Sequence, residues 1–184
     1  MQKQILFAHS AGPQGAPGEG SYDLVIYLKE TLGERYHILD PLIEDPEAPT
    51  YEMWKTMFKE QFTAVMQPVI LIGHSLGGSM LLKYLSEEQP EIRISGLFLI
   101  AIPQWSKEGW DVASFALNEN FEATLPPLGP VFFYQGTLDP IVPLNHLSFY
   151  KEHFKNALFW EAEVSDHAFA KGLPQLVDDI KKLH

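Results

Sequence analysis

The residues in this chain best suited to chemistry are one serine between glycines and two later side chains able to activate it. The segment Gly73-His74-Ser75-Leu76-Gly77-Gly78 contains the pattern Gly-x-Ser-x-Gly. Between a strand and a helix this pattern makes a turn so tight that side chains flanking the serine would collide, hence the glycines. The serine is left exposed at the top of the sheet. The next amide, on Leu76, then points with the helix amino terminus toward a developing oxyanion. His74 lies inside the turn and points away from Ser75, so it reads as a packing or hydrogen-bonding residue. Gly78 and Ser79 read as residues of close helix–sheet packing.

A serine alkoxide is inaccessible near neutral pH, so Ser75 requires a histidine base and a carboxylate that orients it. For a nucleophile on such a turn the partners follow in the order serine, acid, histidine. Of the seven histidines, that order leaves His146, His153, His167 and His184. His184 is the terminal residue, and His146 and His153 fall within a helical pattern that suits surface or packing roles. His167 sits in Val164-Ser165-Asp166-His167-Ala168-Phe169, a loop between the last strand and the last helix, from which a base reaches across the sheet top. The bland alternative is an ordinary loop histidine. Asp139, in Gly136-Thr137-Leu138-Asp139-Pro140-Ile141-Val142-Pro143, is the candidate acid, because two prolines stiffen its loop and orientation is its task. A turn aspartate before proline is the plain alternative. Asp111 is a rival acid, deeper in an irregular segment, and Asp166 is adjacent to His167 and would point elsewhere.

The second oxyanion donor belongs on the loop after the first strand, in Phe7-Ala8-His9-Ser10-Ala11-Gly12. The amide of Ala11 is the candidate, with Ser10 the alternative, and His9 reads as structural rather than as a ligand. Ser10, Trp105 and Trp110 are the candidate substrate contacts. Trp105, Trp110, Phe115 and Phe121 could equally form a wall over the site or a core beneath a long loop. Gly12, Gly15, Gly18 and Gly20 raise a nucleotide-binding possibility. The spacing is against it: Asp23 stands where a third glycine of Gly-x-Gly-x-x-Gly is needed, and no Gly-Lys-Ser/Thr follows.

The elements that must position these residues alternate along the chain. Short apolar runs at 4–8, 36–39, 69–72, 96–102, 131–134 and 157–160 read as strands. Leu24, Val25, Leu28 and Leu32 share one helix face, with Ser21 a cap before them and Gly33 ending the helix. Trp54, Phe58, Phe62 and Val65 mark a second helix that stops before Pro68. Helical patterns also run through Met80–Leu85, Leu144–Phe154 and Leu173–Leu183, whereas 103–130 is irregular. Continuous apolar strands in this order imply a mostly parallel sheet covered on both faces, with ligands at the strands' carboxyl ends.

The chain has 184 residues, a length that suits one domain spanning 1–184. Its composition, 46% hydrophobic and 20% charged, is that of a globular protein. A formal net charge of −11 without a basic run argues against nucleic acid and anionic membranes as partners. Cysteine is absent, which excludes disulfides, thiolate metal sites and a catalytic cysteine. No apolar stretch reaches the length of a signal-peptide core or a membrane span, and a cytoplasmic location is the expectation. Neither a metal nor another cofactor is expected, and nothing in the sequence specifies an oligomeric state.

The His9-Ser10 strand end, Gly-His-Ser-Leu-Gly, the 136–143 loop and the His167 loop together resemble the compact serine hydrolases of the α/β-hydrolase superfamily. Over essentially the whole chain they are similar to the small, lidless family typified by the retinoblastoma-binding serine hydrolase. The resemblance implies a single-domain α/β-hydrolase fold without a large lid. It also implies metal-free hydrolysis of a small acyl substrate (an ester, thioester or amide) through an acyl-enzyme on Ser75, with His167 and Asp139. Two departures stand out. Many members have glycine where this chain has Ser10, and the retinoblastoma-pocket motif needs a cysteine, so that partner is not implied. The competing function is a non-catalytic protein-interaction domain that retains the fold.

Overall fold

The computed structural model describes residues 2–106, 109–110 and 112–183. Asp111 and His184, rivals in the sequence reading, lie outside the described residues. In chain order the elements are β1 (Lys3–Ala8), α1 (Tyr22–Leu32), β2 (Tyr36–Leu39), α2 (Tyr51–Ala64), β3 (Val69–His74) and α3 (Ser75–Glu88). They continue with β4 (Ile94–Ile100), α4 (Phe121–Thr124), β5 (Val131–Gly136), α5 (His146–His153), β6 (Leu158–Ala162) and α6 (Pro174–Lys182). The strands form one six-stranded sheet in the order β2-β1-β3-β4-β5-β6. Every pairing is parallel, so the expectation of a mostly parallel sheet is met in full.

Alternation along each strand divides the core between the two faces. Leu6, Leu71, Leu97, Leu99 and Phe133 pack against α2, α3 and α5, through residues such as Trp54, Phe58, Leu81 and Tyr150. Ile5, Phe7, Ile70, Ile72, Phe98 and Ile100 face the other way, against Leu24 and Leu28 of α1 and Leu176 and Ile180 of α6. Burying both faces leaves the strands' carboxyl ends as the open edge where loops converge.

Three local features differ from the sequence reading. β4 stops at Ile100 instead of running to Ile102, because Ala101 turns to φ 47° and leaves the extended conformation. α5 begins at His146 rather than Leu144, since the His146 amide first closes a turn onto the Pro143 carbonyl. Ser21 precedes α1 but its side chain caps nothing there. It is fully buried and turned toward β3 instead. Thr50, by contrast, caps α2 by accepting the Met53 amide.

Candidate active site

β3 runs straight into α3, and Ser75 sits at the junction with φ 51°. A serine gains nothing from a left-handed backbone unless its surroundings hold it there, and such strain collects at functional sites. The glycines are what permit the turn. A Cβ on Gly73 would lie 2.4 Å from the Gly78 Cα, and one on Gly77 would lie 2.0 Å from the His9 carbonyl oxygen. Gly78 is equally hemmed in, by the Gly73 carbonyl and Ile102, which fits its packing role. Ser79 is likewise structural, donating its hydroxyl to the Pro103 carbonyl. Leu76 lies in the first turn of α3, where amides have no intrahelical acceptor.

Asp139 and His167, 28 residues apart, meet at the same edge. His167 Nδ1 donates to Asp139 Oδ2 at 2.8 Å, with the two side chains 13% and 1% exposed. The other carboxylate oxygen, Oδ1, accepts the amides of Ile141 (2.8 Å) and Val142 (3.0 Å). Burial alone would raise the Asp139 carboxyl, but these hydrogen bonds and the neighbouring His167 outweigh it and hold the group below its ordinary value. With Nδ1 committed as a donor, His167 keeps Nε2 as its free basic nitrogen. Sequence reasoning missed Gln135, which is buried and donates to Asp139 Oδ2 and to the Val142 carbonyl. The available signal was a polar residue closing the apolar run Val131–Tyr134 just before the acid loop.

Ser75, His167, Ser10 and Ala11 line one open cavity of about 550 Å³, together with Gly12, Gly18, Gly20, Pro140 and Ile141. Among the described residues no direct hydrogen bond joins Ser75 to His167. The Ser10 amide donates to Ser21 Oγ at 2.9 Å, and the Gly12 amide to the Pro46 carbonyl at 2.9 Å. The Ala11 amide between them has no acceptor among the described residues, which singles it out from Ser10. Trp105 and Trp110 are not at this cavity. Trp105 packs edge-on against Trp110 and Phe115 and rests on the core of the α2–α3 face, while Trp110 stands against His146. Apolar rings bury their surface most fully against one another, so the aromatic segment forms core rather than a wall. His9 is buried beside Phe7 and kept from charging by burial, as a structural residue would be. Among the described residues no group of three or more His, Asp or Glu is placed to hold a metal ion.

A family model described as serine hydrolase matches residues 27–171, most of the chain and all of Ser75, Asp139 and His167. This chain belongs to the serine hydrolase family. Its loop from Ser10 to Ser21 lies ahead of the matched span. No curated protein matches this serine hydrolase by sequence. Among solved structures, the ydeN gene product of B. subtilis superposes with a TM-score of 0.78 at 17% identity, covering 99% of this chain and 98% of that one. Est1E of Butyrivibrio proteoclasticus, solved with ferulic acid, gives 0.71 at 15% identity over 98% and 87% of the two chains. An esterase from Exiguobacterium antarcticum gives 0.69 at 15% identity over 97% and 90%. At such identities the likeness establishes the compact α/β-hydrolase fold, and family membership makes the chain a hydrolytic enzyme rather than a non-catalytic interaction domain. No helix among the described residues is long and apolar enough to cross a membrane.

Proposed function

We propose that this hydrolase cleaves a small, uncharged carboxylic ester through an acyl-enzyme on Ser75, with His167 as base and Asp139 as its orienting acid. The observation that carries the reading is the 2.8 Å hydrogen bond from His167 to a buried, fully engaged carboxylate, in the cavity that also exposes a strained serine. Ser75 Oγ attacks the carbonyl carbon while His167 Nε2 takes its proton. The amides of Leu76 and Ala11 stabilise the oxyanion, and His167 returns the proton to the departing alkoxide. Water then repeats the sequence on the acyl-Ser75 ester. The Ser75–His167 contact closes when substrate enters, as is common for sites that are loose without ligand.

The lining residues include no lysine or arginine and do include Asp166, which favours neutral acyl groups over anionic ones. Thioesters and amides share the same carbonyl chemistry and rank after esters here, because an open cavity gives little purchase on a poor leaving group. A fluorophosphonate probe tests the assignment. It labels the wild-type chain once and leaves Ser75→Ala unlabelled; undiminished labelling of Ser75→Ala would overturn the reading.

A further inference from the structure

His74 is a fully buried histidine inside the nucleophile turn that the proposed chemistry does not use. Both of its ring nitrogens are nonetheless engaged, and on opposite sides. Nε2 lies 2.8 Å from the His167 carbonyl oxygen, and Nδ1 lies 2.8 Å from Ser21 Oγ. Ser21 in turn accepts the Ser10 amide at 2.9 Å, and the Ser10 hydroxyl oxygen is 3.2 Å away. Resting on the triad reading, we infer that Ser21 and His74 are positioning residues that lock the oxyanion loop and the base loop to one another across the nucleophile turn.

The hydrogen-bond inventory fixes the direction of this chain. A carbonyl only accepts, so His74 Nε2 carries the proton and donates to His167. A neutral ring then leaves Nδ1 as an acceptor, and the Ser21 hydroxyl supplies its proton. Neutrality follows from burial first and the nearby charge of His167 second, which together bring His74 down to about 3. That neutrality matters for turnover, because the two imidazoles are 5.1 Å apart. A charged His74 would oppose the proton that His167 must take up. The chain also explains why the Ser21 hydroxyl is withheld from capping α1. It holds Ser10 directly beside Ala11, the proposed oxyanion donor, so a shift in either loop is transmitted to the other.

The test compares wild type, Ser21→Ala, His74→Phe and the double variant on a short-chain p-nitrophenyl ester, with thermal melts and fluorophosphonate labelling rates alongside. Misplacing loops that frame the reacting atoms lowers kcat, by roughly tenfold for Ser21→Ala, with KM changed less than about twofold. His74→Phe gives a similar loss, and the double variant falls no further than the weaker single, the non-additivity expected of one unit. Unchanged kcat in Ser21→Ala, or losses that multiply in the double variant, would overturn the inference. Should His74→Phe fail to fold, nitrogen-15 spectra of the wild-type imidazoles decide. His74 protonated on Nε2 across neutral pH supports the chain of bonds, and protonation on Nδ1 overturns it. A wild-type protein that neither turns over the ester nor takes the probe would instead sink the triad reading, and this inference with it.

Discussion

Two loops leave the carboxyl ends of adjacent strands and come to opposite ends. The loop after β5 stays at the sheet edge, and the segment after β4 folds back onto the core. In the first, the Thr137 amide donates to the Ala162 carbonyl and the Leu138 amide to Val164, stitching the loop to β6 and the residues beyond it. Asp139 then finds four hydrogen-bond donors at Ile141, Val142, Gln135 and His167. In the second, few such stitches form, and rings do the anchoring: Trp105 with Phe115, and Phe121 with Phe149 and Phe154. Buried Lys83 of α3 adds one tether by donating to the Ala116 carbonyl. Directional bonds hold a functional group in one orientation, whereas apolar packing holds a segment in place without aiming anything.

The largest expected break between the two loops is at Asp139. Asp139→Asn keeps the shape but loses the carboxylate that selects the His167 tautomer, so kcat/KM should fall about 10⁴-fold with the melting temperature little changed. An Asn variant of near wild-type activity, by the same ester assay, would mean the acid lies elsewhere. The converse holds at Phe121, which is buried in the aromatic segment. Phe121→Ala should cost about 3–5 kcal/mol of stability in urea titrations yet leave kcat/KM near wild type at low denaturant. If activity collapses while the protein remains folded, the segment is part of the site after all.

Gln135 sharpens the comparison because it serves both jobs. Gln135→Leu leaves the carbonyls of Gly136 and Val142 without their side-chain donor, for a loss of about 1–3 kcal/mol. It also loosens Asp139, for a loss in kcat of roughly tenfold. A stability loss without any kinetic loss would show that Gln135 supports only the strand end.

The smallest effect is on acid stability. The unfolded chain protonates His74 as pH falls through its ordinary value of 6.5, whereas the folded state resists until about 3. Stability is therefore lost progressively between those values as pH falls. Asp139, depressed below its ordinary 3.8, adds a loss only as pH drops through and beneath that value. Melting temperatures of His74→Phe should fall less steeply from pH 6.5 to 4.5 than those of wild type, and an identical slope would contradict the buried neutral His74.

The strands, the helices and the identity of the fold were legible in the sequence, because period-2 and period-3.6 burial are written into side-chain hydrophobicity. Gly73, Gly77 and Ser75 were legible for the same local reason, since a turn that tight tolerates few residues. Asp139 and His167 could be chosen by order and by loop stiffness, but only the fold brings residues 28 positions apart within 2.8 Å. The tryptophans were left undecided for a related cause: an aromatic residue in a loop is equally suited to a wall or a core, and the surrounding surface decides. Ser21, read locally as a helix cap, was drawn away by a buried imidazole with one nitrogen still needing a donor. Local sequence sets what each segment prefers; which competing hydrogen bond a polar group finally makes is set by the long-range neighbours that burial supplies.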